Sequence, residues 1–289
     1  MAIDDEVAGP AQAMIERIPY LACPLCDASE LTDVGTGNCS HHPLYHPSLS
    51  PDIHWKQCRA CGHVFTAGYY TPEACQLIFS KTNENQQVGY GIEQQRGISA
   101  RMVEKVIPFV SAGRWLDIGF GNGSLLFTAQ EYGFLATGLD LRQENVQRAR
   151  EMGIDAHCAD VADFTPQTPC SVISMADVLE HIPYPRTALA AAHRILTDNG
   201  ILLISMPNLE CAVWRQLDQQ NANPYWGELE HYHNFGRTRL YALLRQHDFE
   251  PLRYGISERY RACMEIVARK RAKPAAPAMS FSYAQNLGG

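Results

Sequence analysis

From about residue 98 onward, apolar residues fall into short continuous runs separated by stretches in which they recur every three or four positions. A helical pattern over Ile98 to Val110 leads into a strand at Trp115 to Ile118, and Ser124 to Tyr132 is helical again. Strands follow over 134–140, 154–158, 170–175 and 200–206, with helical patterns over 142–152 and 187–197 between them. Such alternation predicts an α/β, doubly wound, Rossmann-like parallel sheet with helices on both faces. A helix closes at Tyr241 to Gln246, and 249–256 with 261–269 read as a last pair of strands. Upstream, Thr71 to Ser80 is a short helix with Pro72 in its first turn. Asn83 to Gly97 is polar and glycine-containing, a linker or a substrate-side loop, and no internal repeat is visible.

Composition narrows the class. The 289 residues supply one large core and a smaller appendage, with a net charge of −7. Nothing is apolar for long enough to span a bilayer, and Met1 to Pro10 is acidic without a signal core, so a cytoplasmic location is expected. Ten cysteines in such a compartment point to thiols or metal ligands rather than disulfides. Cys23-Pro-Leu-Cys26 and Cys58-Arg-Ala-Cys61 form two C-x₂-C knuckles, the spacing of a closed tetrahedral zinc site. Gly62 permits the tight turn that the second knuckle needs. The Pro-, Ser-, His- and Gly-rich chain between them buries little apolar surface and gains most from a metal clip. A structural zinc ribbon is therefore expected, with His41, His42, His46, His54 and His63 as loop histidines and Cys39, Cys75, Cys158, Cys170, Cys211 and Cys263 as ordinary thiols. Between Pro19 and Tyr70 only Lys56 and Arg59 stand against Asp27, Glu30, Asp33 and Asp52, the wrong balance for phosphate backbones. Toward the C-terminus arginines, Arg259 among them, outnumber the acids and would suit either an anionic substrate group or a solvated edge.

The sharpest motif is Asp117-Ile-Gly119-Phe-Gly121-Asn122-Gly123, a strand, a glycine turn and a helix start. Glycines at every second position let the backbone approach a ligand, and the N–H groups of the helix start face the gap. A phosphate would be repelled by Asp117, whereas an ammonium or sulfonium would be attracted. The third glycine also comes one residue too early for the dinucleotide fingerprint. Asp140, ending the second strand, stands where a carboxylate takes both hydroxyls of a ribose. The two acids would bracket an adenosyl amino acid.

These residues, with Gly138-Leu139-Asp140, resemble class I S-adenosylmethionine-dependent methyltransferases, and the resemblance covers roughly residues 95 to 270. It implies the family's mostly parallel sheet with a terminal antiparallel hairpin and an S-adenosylmethionine site at Asp117, Gly119, Gly121, Asn122, Asp140, Leu141, Asp160 and Val161. Asp160-Val161 resembles the adenine-contacting segment, and Asp177 to Ile182 the stretch after the fourth strand. Phe120 departs from the smaller residue common in the family. Asp177-x₂-Glu180-His181 also resembles the metal-binding Glu-x₂-Glu-His of ubiquinone-pathway O-methyltransferases, and His181 is otherwise a candidate base or pocket wall.

Between the fifth strand and the next helix, Pro207 to Gly236 is too polar and aromatic for a plain connection and would cover the acceptor side. With the ribbon, its Glu230-His231-Tyr232 resembles zinc-containing sugar C-methyltransferases, which implies Glu230 and His231 as a catalytic base or, alternatively, as pocket and helix-entry residues. The domain reading is a lead-in over 1–18, a zinc-ribbon module over 19–80, a linker or loop over 81–97, the methyltransferase domain over 98–271 with its insertion at 207–236, and a disordered tail over 272–289. The function expected from the resemblance is methyl transfer to a small-molecule acceptor, such as a nucleotide-activated sugar. Two alternatives stand beside it, an RNA base methyltransferase and a non-catalytic cofactor-binding scaffold. The oligomeric state is not legible.

Overall fold

The computed structural model describes residues 17–272. The expected lead-in and disordered tail fall outside the described residues, apart from 17, 18 and 272. In chain order the first elements are β1 (Ile18–Pro19), β2 (Leu31–Asn38), β3 (Asp52–Cys58), β4 (Val64–Thr66), β5 (Gly68–Tyr69) and α1 (Pro72–Phe79). A 3-10 turn at Glu84–Gln86 precedes α2 (Ile92–Val106), β6 (Arg114–Ile118), α3 (Ser124–Glu131), β7 (Leu135–Asp140), α4 (Gln143–Glu151) and β8 (Asp155–Cys158). Then come β9 (Cys170–Ala176), α5 (Pro185–Ile195), β10 (Leu196–Pro207), α6 (Ala212–Gln219), β11 (His233–Asn234), α7 (Arg237–Gln246), β12 (Phe249–Ile256) and β13 (Cys263–Lys270).

The large sheet runs β12-β13-β10-β9-β6-β7-β8. Its five central and right-hand strands are parallel, and β13 is antiparallel to both β10 and β12, the expected terminal hairpin. Alternation along β10 feeds both faces: Ile201 and Leu203 join Trp115, Leu125 and Met102, while Leu202 and Ile204 join Leu189, Leu240 and Phe249. Strand order reverses beside β6, so the crevice at its carboxyl end is the place for a ligand. Helix α2 starts at Ile92, six residues before the periodic pattern at Ile98. Its apolar face, Met102, Val103 and Val106, and the buried Ser99–Ser124 hydroxyl contact of 3.1 Å anchor it against α3, so the polar extra turns and Gly97 are carried along.

β1 pairs with β5 in a two-stranded sheet, and a four-stranded sheet runs β11-β4-β3-β2. Its fourth strand comes from the insertion, His233 and Asn234 pairing with Phe65 and Val64. The N-terminal module is thus fastened to the core rather than tethered beside it: Tyr20, Cys23, Cys58 and Phe65 share one buried cluster with Leu179 and Phe235. Tyr20 donates to the Pro183 carbonyl over 2.7 Å, and the Trp55 indole donates to that of Trp226 over 2.9 Å. Among the described residues no helix is long and apolar enough to cross a membrane.

Candidate functional site

The turn after β6 carries Gly119, Gly121 and Gly123 at φ of 64°, 52° and 78°, a left-handed path that side chains resist. A Cβ on Gly119 would also stand 2.6 Å from Val178. Phe120 fits because Gly138 on β7 leaves room: a Cβ there would meet the Phe120 ring at 2.6 Å. Asp140 at the end of β7 clasps the turn, accepting from the Gly121 amide at 3.2 Å and from the Arg142 amide at 2.8 Å. Burial pushes its carboxyl up, and the two amides and the Arg142 charge pull it back in part.

A cleft with about 820 Å³ of empty space opens on one side of this turn. Gly119, Gly121, Asp140, Leu141, Asp160 and Val161 all line it, as do His181 and Glu230. A second lobe of about 790 Å³ lies on the other side, where Asn122, Asp177 and Arg259 are found; Gln86, Gly119, Gly121 and Asp177 line both. The 83–91 segment covers the junction, held by the Asn145 amide on the Gln86 carbonyl at 3.1 Å and by the Gly89 amide on the Asn122 carbonyl at 3.0 Å. Phe79 of α1 places its ring 5.1 Å from the Arg142 guanidinium carbon, so the module also reaches the cleft.

Asp117 lines neither lobe. It follows Trp115 by two positions and faces the same side of β6, where Ser174 of β9 accepts from the Trp115 indole at 2.8 Å and donates to Asp117 at 2.5 Å. Burial raises that carboxyl to about 6.

Glu230 and His231 do not form a dyad. Glu230 lies in a turn that the His231 amide closes on the Glu228 carbonyl at 3.3 Å. Glu230 turns to the cleft and pairs with Arg142 at 3.1 Å, while His231 turns inward, its ring centroid 4.7 Å from that of His181. Burial holds His231 neutral, its value lowered to about 3, with His181 adding to the effect. His181 Nδ1 lies 3.0 Å from the Glu230 carbonyl. A carbonyl only accepts, so Nδ1 carries a proton, and in the neutral tautomer this bond selects the lone pair is on Nε2.

Among the described residues three clusters have metal-ligand chemistry, one of them His42, Glu228 and Glu230. The four knuckle sulfurs lie within 4.8 Å of one another, with Cys23–Cys61 at 3.7 Å and Cys26–Cys58 at 3.5 Å. A tetrahedron of ~2.3 Å bonds has edges of roughly 3.8 Å, so these spacings suit zinc. Each knuckle turns through a left-handed residue, Asp27 at φ 60° and Gly62 at φ 72°. The second cluster is Glu180, His181 and His231. Glu180 is 1% exposed, neither carboxyl oxygen has a hydrogen-bond partner among the described residues, and burial drives its value well above the carboxylate range. Asp177 is not its partner, since it accepts from Ser205 Oγ at 3.0 Å and faces Arg259. Arg142 and Gln86 carried no sequence signal, and Arg259 carried only its place in a basic stretch.

Residues 92–254 match a family described as a methyltransferase domain. The ubiquinone biosynthesis O-methyltransferase of Idiomarina loihiensis is 32% identical over 107 residues, 34% of this chain and 44% of that protein. Its namesake from Xylella fastidiosa is 25% identical over 158 residues, 52% of this chain and 58% of its own. The chain spans about half the length of the curated relatives it matches. Among solved structures, the Burkholderia thailandensis 1,6-didemethyltoxoflavin-N1-methyltransferase with bound S-adenosylhomocysteine covers 73% of this chain and 96% of its own at 19% identity and a TM-score of 0.52. Magnesium protoporphyrin IX methyltransferase from Synechocystis, also with S-adenosylhomocysteine, covers 67% and 91% at 16% identity and a TM-score of 0.50. These two likenesses establish the fold.

Proposed function

The chain belongs to the methyltransferase-domain family, and from that premise we propose that it is an S-adenosylmethionine-dependent methyltransferase acting on a small-molecule acceptor. The observation that supports this most is the two-lobed cleft around the glycine turn, with Asp140 clamped to Gly121 at its centre. In this assignment Asp140 takes the ribose hydroxyls, Leu141, Asp160 and Val161 hold the adenine, and the amino-acid tail crosses Gly119 toward Asn122. Asp117 acts from beneath, fixing the strand tip through Ser174.

Transfer breaks the bond between sulfur and methyl carbon while the acceptor's electron pair forms the new one, so acceptor, methyl and sulfur must lie in line. A neutral acceptor must also lose a proton. We assign that proton to Nε2 of His181, with His231 packed against the ring and the Glu230 carbonyl fixing its tautomer. The acceptor is a hydroxyl, as the names of the curated relatives suggest for those proteins. A nucleotide-activated keto-sugar methylated at carbon is the narrower alternative. The zinc of the N-terminal module would be held by Cys23, Cys26, Cys58 and Cys61, and its chemistry there is structural.

The orphaned Glu180 oxygens support a different use of the same residues, in which a divalent ion sits among Glu180, His181 and His231. Bound there it would supply Lewis acidity to an acceptor oxygen.

The test is calorimetry with S-adenosylhomocysteine, followed by transfer of labelled methyl to a panel of catechols, nucleotide-linked keto-sugars and short RNAs. Binding with turnover of a catechol or a sugar is the expected result, and a sugar acceptor would add exchange of its α-hydrogen with deuterated solvent. Turnover of RNA alone would move the function to nucleic acid. Binding without turnover of any acceptor would leave a scaffold, and absence of binding would sink the proposal.

A further inference from the structure

Arg142 stands in the N-cap position of α4, makes no capping bond with its side chain, and puts a cation where the helix dipole opposes one. The helix does not explain it. Its guanidinium reaches instead to the insertion, donating from Nη2 to Glu230 at 3.1 Å with both side chains only 11% exposed. Phe79 of α1 closes over it. One cation thus touches the core, the N-terminal module and the insertion.

Glu230 needs that cation. Its carboxylate, that of Glu228 and the ring of His42 lie within 4.8 Å of one another. His42 accepts the Leu44 amide at Nδ1 over 3.2 Å, so its Nε2 carries the proton that Glu228 takes at 2.6 Å. The imidazole is spent on Glu228, and among the described residues Arg142 is the cation paired with Glu230. Without it two partly buried carboxylates would repel each other at close range. The peptide that follows Glu230 uses both of its ends: its N–H closes the turn on Glu228 at a long 3.3 Å, and its carbonyl takes the His181 Nδ1 proton at 3.0 Å. A swing of the Glu230 carboxylate would turn that carbonyl.

We propose that Arg142 is a positioning residue for the base: by neutralising Glu230 it sets the 230–231 peptide, and with it the His181 tautomer whose Nε2 is free to take the acceptor's proton. The proposal rests on the assignment of His181 as the base and deepens it. The proton of a neutral imidazole settles according to the bond that each ring nitrogen makes, so a displaced Glu230 carbonyl would release it to either nitrogen. Arg142 itself never meets that proton. Its own amide is held by Asp140 at 2.8 Å, so a single residue ties the carboxylate assigned to the ribose to the base.

The test is nitrogen NMR of the imidazoles in the full chain with isotope-labelled histidine, recorded above the range in which histidine titrates, with His181→Gln identifying the signal. Wild type should show His181 protonated at Nδ1. Arg142→Met should show mixed tautomers or the Nε2–H form, Arg142→Gln the same change to a smaller extent, and Arg142→Lys a partial return. Because Arg142 acts through the charge of Glu230, Arg142→Met combined with Glu230→Gln should restore the wild-type tautomer. With the acceptor that the panel yields, Arg142→Met should lower kcat by about ten- to a hundredfold, part of what a general base contributes, and hold affinity for S-adenosylhomocysteine within a fewfold. A cooperative melt in Arg142→Met excludes misfolding. An unchanged His181 tautomer in Arg142→Met, or a combined variant as disturbed as Arg142→Met alone, would overturn the role, as would an affinity for S-adenosylhomocysteine that falls in step with kcat. Full turnover in His181→Ala would instead strike at the base assignment, whatever Arg142 does to the tautomer.

Discussion

His63 donates from Nε2 to Nδ1 of His233 across 3.0 Å, and the direction of that bond is fixed from outside the pair. His233 Nε2 lies 2.9 Å from the Ile182 carbonyl, which can only accept, so His233 must accept at Nδ1 and His63 must give. His63 Nδ1 is left bare and buried. The second knuckle is thereby joined through two rings to the chain that follows His181.

Breaking this link should be costly. His233→Ala leaves a carbonyl and an imidazole N–H buried without partners and opens a void, so the chain should lose about 2–4 kcal/mol of stability. Urea denaturation measures it, with exposed His41→Ala as the near-neutral control. A loss below about 0.5 kcal/mol in His233→Ala would show that the pair is not a stabilising joint.

The same burial gives a pH signature. His233 is held down to about 3 by desolvation, against about 6.5 in an unfolded chain. Its folded value is the lower one, so its contribution is complete above about pH 6.5 and is lost as pH falls toward 3, where the unfolded chain binds the extra proton. His231 acts in the same sense, whereas Glu180, raised by burial, acts in the opposite one. His233→Phe isolates a single group: between pH 6 and 4 its stability should fall less steeply than that of the wild type by about 1 kcal/mol per unit. Parallel pH profiles of the two proteins would contradict this.

Asp140→Ala should weaken S-adenosylhomocysteine by ten- to a hundredfold, the cost of about 1.5–3 kcal/mol for a lost charge-assisted contact. It should also loosen the Gly121 amide, which calorimetry would report as a less favourable enthalpy. Unaltered affinity would remove Asp140 from the site.

One zinc per chain is expected at Cys23, Cys26, Cys58 and Cys61, and Cys58→Ser should abolish it. Because Cys23 and Cys58 lie in the same cluster as Leu179 and Phe235, chelation should lower the melting temperature of the whole chain rather than free a loose module. Metal analysis alongside calorimetric melting checks both points. Metal-free protein with four titratable thiols and an unshifted transition would refute the site.

His181→Ala should reduce kcat by about 10²–10⁴-fold while affinity for S-adenosylhomocysteine stays within a fewfold, the mark of a lost general base. Should a divalent ion sit at Glu180, His181 and His231, His181→Ala and His231→Ala would both lose that ion together with turnover. Full turnover in His181→Ala would reject the assignment.

The sheet was legible because each strand and helix announces itself locally, through runs such as Ile201 to Ile204 and the period of α5. The glycine turn was legible for the same reason, since its spacing lies within seven residues. Relationships across the chain were not. That Gly138 makes room for Phe120 depends on the packing of two strands, and that Asp117 faces Ser174 depends on register with β9. Glu230 and His231 look like one unit in sequence and serve opposite sides in space. The short β11 has almost no strand signal of its own, and only Val64 and Phe65 give it one.

β11 also imposes an order on assembly. As the chain emerges from its amino terminus, β2, β3 and β4 are available long before His233 and Asn234, so for most of synthesis the outer edge of β4 has bare amides and carbonyls. An open edge of this kind templates pairing with other chains. The knuckle region must therefore wait, exposed to self-association, until the α/β core has been made and has swung the insertion back across it. A metal ion bound early would hold the hairpin in register during that interval, and a fragment ending near residue 80 would never leave it.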